Sequence, residues 1–283
     1  MEPKIGLALG GGGARGLCHI EFCKALDEMG LKPSVISGTS IGSIVGGFYA
    51  AGMSGKALEG LVQGLGFVDY TRMLDVNILQ TSGLVKGKQV MEFLDKHLTV
   101  KRFEELVIPL KVVATDFWLR RQVVFESGPI SPAIRASISI PVIFKPVKID
   151  QTVLIDGGTV NPVPFDIIRN ECDILIAIDV SGRPFYHDSE QHTMPSMFES
   201  IMNSFYIMQT VVLENKLKMC RPDIYVRPAL KGIQILDFHK DREIMESVKG
   251  DVEVFKSELK AKMDEARRPK KTIKKKWRRI FDG

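Results

Sequence analysis

The sequence predicts an α/β fold: a single three-layer α/β/α domain around a central, mostly parallel sheet. Strand-like apolar runs alternate with helix-period segments along the whole length. The run Ile174-Leu175-Ile176-Ala177-Ile178 is apolar at every position, as a strand covered on both faces requires. With 283 residues, 45% hydrophobic and 26% charged, the chain is long enough for one large core and too apolar to remain disordered.

Ile5 to Leu9 reads as a strand, Gly10 to Gly13 as a loop, and Ala14 to Met29 as a helix with Leu17, Ile20, Cys23, Leu26 and Met29 on one side. Val35-Ile36 is a second short strand, after which Gly38 to Gly42 turns the chain into a small-residue helix ending near Gly52. A helix is expected over Lys86 to Leu98, strands over Leu110 to Thr115 and Gln122 to Glu126, and a short helix over Pro132 to Ser137. Val153 to Ile155 is a strand that delivers Asp156 to a loop. Beyond the Ile174 strand come a helix over Ser196 to Lys218, a strand over Asp223 to Val226, and one charged amphipathic helix over Asp241 to Ala266. The one composition break is at Arg267-Arg268-Pro269, so residues 1–266 are read as the domain and 267–283 as a basic tail.

Cys18, Cys23, Cys172 and Cys220 form no C-x-x-C pair and have no histidine at zinc-ligand spacing, so neither a disulfide framework nor a metal site is expected. The first residues offer no apolar region of secretory-signal length, and no stretch has the roughly 20 mostly apolar residues of a membrane span. A cytoplasmic location is the resulting expectation. The net charge of +5 conceals an asymmetry: residues 267–283 hold nine Lys/Arg against Asp282, a local +8, and the remainder carries 30 against 33, or −3.

Three segments bear on chemistry. Gly11-Gly12-Gly13-Ala14-Arg15-Gly16 satisfies G-x-G-x-x-G between a strand and a helix. Gly38 to Gly42 stands where a dinucleotide site needs its ribose-binding acid, and no Walker sequence is present, which counts against a nucleotide. The loop instead offers unobstructed backbone N–H groups at a helix N-terminus, suited to any anion, including the alkoxide that develops at an attacked ester. A plain tight turn is the alternative.

Gly38-Thr39-Ser40-Ile41-Gly42 matches the nucleophile elbow G-x-S-x-G in strand-turn-helix context, with Ser40 either a nucleophile or an ordinary helix N-cap. A serine nucleophile needs a base. His19 and His97 fall inside helices, His187 and His192 in a polar loop, and His239 just before a helix. Asp156, at the end of an apolar strand and followed by Gly157 and Gly158, is the better candidate, because apolar surroundings raise a carboxyl pKa toward neutrality. Asp-Gly-Gly also makes a plain turn.

Together and in this order, the three segments resemble the patatin-like phospholipases, and the resemblance extends from residue 5 to about residue 265. Ala133-Ile134-Arg135-Ala136-Ser137, with Ile140-Pro141 and Phe144, also resembles the segment that family places before its Asp-Gly-Gly. The carboxyl-terminal third is similar to bacterial members and to the catalytic domain of neuropathy target esterase. The resemblance implies a serine lipid acyl hydrolase of phospholipase A or lysophospholipase type, with a Ser40–Asp156 dyad and an acyl-enzyme. It implies an oxyanion hole from the N–H groups of Gly11, Gly12 and Gly13, with Arg15 fixing the loop. No cofactor and no calcium are implied, the substrate is a phospholipid or lysophospholipid, and a homodimer fits the relatives. Ile41 departs from the pattern, which leads one to expect a smaller residue such as Ala. Transfer of the acyl group to a lipid would use the same residues, and a non-catalytic lipid- or nucleotide-binding module is the reading from another class.

Two stretches lie outside the resemblance. The tail interleaves Lys274, Lys275, Lys276, Arg278 and Arg279 with Trp277, a composition suited to an anionic membrane surface; a solvated tail is the alternative, and no nucleic-acid partner is expected. Met194, Met197, Met202 and Met208, with Phe198, Phe205 and Tyr206, enrich the Ser196 helix in flexible apolar side chains, read as a core or dimer face in preference to a lipid-entry surface.

Overall fold

A computed structural model describes residues 2–65, 87–181 and 194–268. His187, His192, the Phe198 side chain and tail residues Lys274 to Arg279 lie outside the described residues. The strands are β1 (Ile5–Leu9), β2 (Val35–Thr39), β3 (Leu110–Asp116), β4 (Arg121–Phe125), β5 (Val147–Ile149), β6 (Thr152–Asp156), β7 (Ile174–Ile178) and β8 (Ile224–Val226). The helices are α1 (His19–Glu28), α2 (Ile41–Ala50), α3 (Gly55–Gln63), α4 (Lys88–His97), α5 (Ile130–Ser137), α6 (Met197–Met219), α7 (Asp241–Ser247) and α8 (Lys249–Arg267).

Hydrogen-bonded neighbours run β5-β6-β3-β2-β1-β7-β8, and β4 also pairs with β3. The pairs β1–β2, β1–β7, β2–β3 and β7–β8 are parallel, so the expected mostly parallel sheet is present, with antiparallel pairing confined to β3–β4, β3–β6 and β5–β6. Strand alternation divides the core between the two faces. Ile5, Leu7, Leu9, Ile174, Ile176 and Ile178 join a large cluster with α1, α2 and α8. Ala8, Leu175 and Ala177 join a smaller one with Val163, Phe165, Ile168 and Leu213 of α6. These are the outer layers of the α/β/α arrangement.

Several boundaries differ from the sequence reading. The glycine loop enters α1 through a 3-10 turn over Gly13–Cys18. β2 runs on to Thr39, because the small residues Ser37 and Gly38 pair in the sheet interior. The single helix expected over Asp241 to Ala266 is two, divided at Val248, which is fully buried at the break and precedes the weak helix former Gly250. Helix α3 is capped by Ser54, whose hydroxyl accepts from the Ala57 N–H, a start signal that the sequence reading passed over. The apolar residues of α6 are not all core: Met202 is buried and Phe205 and Tyr206 are half-buried, whereas Met197 and Met208, and Met194 ahead of the helix, are exposed.

Candidate active site

The edge of β3 brings the site together. β4 borders Val112 to Asp116 along one edge, so β2 and β6 must share the other. β2 rises parallel to β3 and ends with Thr39 opposite Val113; β6 descends antiparallel and ends with Asp156 opposite Ala114. The two chains therefore meet end to end on consecutive positions of β3, with Ser40 leaving one and Asp156 closing the other. The β1–β2 register, Leu9 opposite Gly38, sets Gly11 level with Ser40, and a Cβ on Gly11 would stand 3.2 Å from that of Ser40. Residues separated by more than a hundred positions are thus assembled by strand register alone.

Ser40 has φ 54° and ψ −127°, a conformation disfavoured for a residue with a Cβ, and makes no side-chain capping bond. That excludes the ordinary N-cap reading. The turn fits because Gly42 presses on β1, where a Cβ would lie 2.2 Å from the Leu9 carbonyl oxygen. The Ser40 N–H donates to Ser137 Oγ at 2.9 Å, and the Ser43 hydroxyl donates to the Ser40 carbonyl at 2.6 Å, so both backbone groups of Ser40 are occupied and its Oγ has the Asp156 carboxyl for a neighbour. It sits at the positive end of α2, which favours a developing negative charge.

Asp156 is 2% exposed. Its Oδ1 accepts from the Gly158 N–H at 2.7 Å, while Oδ2 is buried with no hydrogen-bond partner. Burial raises its pKa to about 7, against the opposing pull of the nearby Ser40 hydroxyl and of the Gly158 N–H. The Ser40 hydroxyl is thus a neighbour of the carboxyl group, and Oδ2 itself has no hydrogen-bond partner. No histidine among the described residues bonds to either group. His19 is fully buried with Nε2 on the Gly10 carbonyl at 2.8 Å, and burial lowers its pKa to about 4; His239 is exposed in the turn before α7.

The glycine loop requires one correction. The Gly11 N–H donates to the Pro162 carbonyl at 2.9 Å and is occupied, as is the Ala14 N–H on Ile235 at 2.8 Å; the Gly12 and Gly13 N–H groups have no backbone acceptor among the described residues. Arg15 ties this segment to two others: Nε donates to the Ile233 carbonyl at 2.8 Å and Nη1 to the Ser181 carbonyl at 2.7 Å.

Helix α6 supplies residues that the sequence reading did not assign to the site. The Tyr206 hydroxyl is buried without a partner, Arg15 lies 5.8 Å from its ring centre, and the Asp156 charge contributes to raising its pKa to about 12, after burial. Gln209, also largely buried, packs on Gly158, where a Cβ would stand 2.3 Å from its Nε2. Their helical period points them inward, but no motif marks them. Ser40 and Ile41 border an apolar cavity of about 130 Å³ lined by Leu17, Ile44, Phe48, Leu61, Phe93 and Phe144 among others. Apart from Ser40, its lining side chains are apolar, so the surroundings suit a hydrocarbon chain beside a single reactive hydroxyl.

The chain is 36% identical over 182 residues to an uncharacterized NTE family protein of Mycobacterium tuberculosis, covering 64% of this chain and 50% of that one. It is 31% identical over 266 residues to lysophospholipase NTE1 of Kluyveromyces lactis (85% of this chain, 18% of that one) and 32% identical over 273 residues to a patatin-like phospholipase domain-containing protein of Caenorhabditis elegans (86% and 20%). The chain thus spans half or less of the length of these relatives. The model of the family described as patatin-like phospholipase matches residues 7–169, which contain all three motifs, and the chain belongs to that family.

Proposed function

We propose that this protein is a serine lipid acyl hydrolase acting on phospholipid or lysophospholipid esters through a Ser40–Asp156 dyad. The observation that carries the reading is the meeting of a strained, uncapped Ser40 with a buried carboxyl of pKa about 7 whose Oδ2 has no partner, beside an apolar cavity. Family membership and the name of the Kluyveromyces lactis relative support it.

In the proposed reaction Ser40 Oγ attacks the ester carbonyl carbon while its proton passes to Asp156 Oδ2. The carbonyl oxygen becomes an oxyanion facing the N–H groups of Gly12 and Gly13; a single donor of this kind is worth about 10²–10³ in turnover. Collapse breaks the acyl–oxygen bond, and the leaving lysolipid or alcohol takes the proton from Asp156. Water then attacks acyl-Ser40, giving its proton to Asp156, and the fatty acid departs as Ser40 is reprotonated. A pKa near neutrality lets one carboxyl accept and return the proton at each stage. Neither step calls for a metal, so chelating calcium leaves turnover unchanged.

Intact-protein mass spectrometry after a fluorophosphonate probe tests the reading. One adduct on the wild type and none on Ser40→Ala is the expected result. A folded wild type that takes no adduct would overturn the nucleophile and favour a lipid-binding module. The basic tail is proposed to add attraction to anionic membranes, so removing residues 267–283 weakens liposome binding while sparing a soluble short-chain ester; unchanged binding would refute that role.

A further inference from the structure

The turn between β3 and β4 presents Phe117, Trp118 and Leu119 at 45%, 71% and 62% exposure, three consecutive large apolar side chains turned to solvent. Arg120 and Arg121 follow, both exposed. Arg121 reaches Asp116 only at 4.0 Å, with its side chain 69% exposed. The tip is held in shape: Asp116 Oδ1 accepts from the N–H groups of Trp118 and Leu119 at 3.1 and 3.0 Å, and the Phe117 N–H donates to the Val153 carbonyl at 2.9 Å. A rigid loop that displays Trp, Leu and Phe beside cations spends no folding energy on burying them, and an aromatic body next to a cation is the composition that partitions into a headgroup region. The charge around the tip is positive. Lys148, on the β5–β6 hairpin beside Val153, adds a third exposed cation against the exposed Asp150, while Asp116 is buried under the turn.

Its position relates the tip to the site. Ala114 is the β3 residue level with Asp156, and Trp118 follows four positions further in the same direction. At about 3.3 Å per residue, β3 carries the chain roughly 7 Å from Ala114 to its end at Asp116, and the turn over residues 117–120 stands beyond that, past the dyad on the carboxyl edge of the sheet. Contact of this tip with a bilayer would bring the edge carrying Ser40 against the lipid surface.

We propose that the Phe117–Arg121 hairpin is a membrane-docking element, seating Trp118 and Leu119 in the headgroup region of an anionic bilayer with Arg120 and Arg121 on lipid phosphates. It is separate from the basic tail. It gives the proposed lipid hydrolase its surface, and it rests on that reading for its purpose but not for its readout.

Trp118 and Trp277 are the two tryptophans of the chain, so the full-length Trp277→Phe protein reports Trp118 alone. Phosphatidylglycerol-rich vesicles should shift its emission to the blue and make it quenchable by brominated lipid, with much less effect from pure phosphatidylcholine. Trp118→Ala with Leu119→Ala, introduced into the wild type, should weaken vesicle affinity on the order of tenfold, and Arg120→Gln with Arg121→Gln by about fivefold per cation on anionic vesicles only. Both variants keep wild-type turnover of a soluble short-chain ester. Vesicle binding with unaltered Trp118 emission would overturn the proposal. So would a blue shift that follows protein concentration without vesicles, which would make the tip a contact between copies. Vesicle binding through Trp118 in a protein that takes no fluorophosphonate would uphold the docking element while refuting the nucleophile.

Discussion

Ile41 lies against Gly16 so closely that a Cβ on Gly16 would stand 2.1 Å from Ile41 Cγ2. The bulky residue after Ser40 is therefore accommodated by the last glycine of the loop, and the elbow and the glycine loop are one packed unit. Gly16→Ala should destabilise the fold by about 1–3 kcal/mol through overpacking, and it should displace Ile41 and the adjoining Ser40. Adding Ile41→Ala removes the opposing methyl groups. Chemical denaturation should show the double variant more stable than the sum of the two single changes, and a strictly additive cycle would show that the contact is not the source of strain.

Ile41 also borders the apolar cavity, so its truncation has a functional consequence. Ile41→Ala enlarges the space beside Ser40 by several heavy atoms. Among p-nitrophenyl esters of increasing length, the ratio of kcat/KM for long over short chains should rise by about tenfold or more, in line with about 1–3 kcal/mol per methylene a hydrophobic pocket accommodates. An unchanged ratio would place the acyl chain elsewhere.

In the proposed reaction Asp156 sets the pH dependence. As the proton acceptor it works ionised, so kcat/KM should rise with pH through about 7 and level off above it. The stability effect has the opposite direction. Its pKa is raised by folding from 3.8 to about 7, so the folded state binds more protons than the unfolded state between these values, and stability falls as pH rises across that window. Asp156→Asn removes that cost. At pH 8 the variant should melt a few degrees above the wild type, while near pH 4 the two should converge; equal melting at both pH values would mean that burial does not strain the carboxylate.

Much of this was legible in the sequence, and the remainder was not for identifiable reasons. Ile174 to Ile178 was readable to the residue because a strand buried on both faces is apolar throughout. Ser40 and Asp156 stand out in the sequence as candidates because glycines mark the turns on which they sit. The occupied Gly11 N–H was not, since its acceptor, the Pro162 carbonyl, is supplied by chain distant in sequence. Tyr206 and Gln209 sit in an unremarkable helix whose approach to Gly158 is a matter of packing. The exposure of Trp118 was hidden because an aromatic beside a strand is ordinarily read as core.

Arg15 gives the last prediction. Its guanidinium bridges two carbonyls, those of Ser181 and Ile233, and it is the planar fork, with donors on separate nitrogens, that reaches both. Val180, beside Ser181, bounds the loop on one side, because a Cβ on Gly12 would meet its carbonyl oxygen at 2.5 Å. Losing the bridge should let the Gly12 and Gly13 N–H groups wander from where the proposed oxyanion forms, while the apolar cavity keeps its shape. Arg15→Ala should therefore lower kcat on a soluble ester by about 10–100-fold, a fraction of the effect of losing a donor outright, with KM changed little. Arg15→Lys, a single point donor, should recover only a small part. A variant that raises KM with kcat intact would instead make Arg15 a substrate-binding residue.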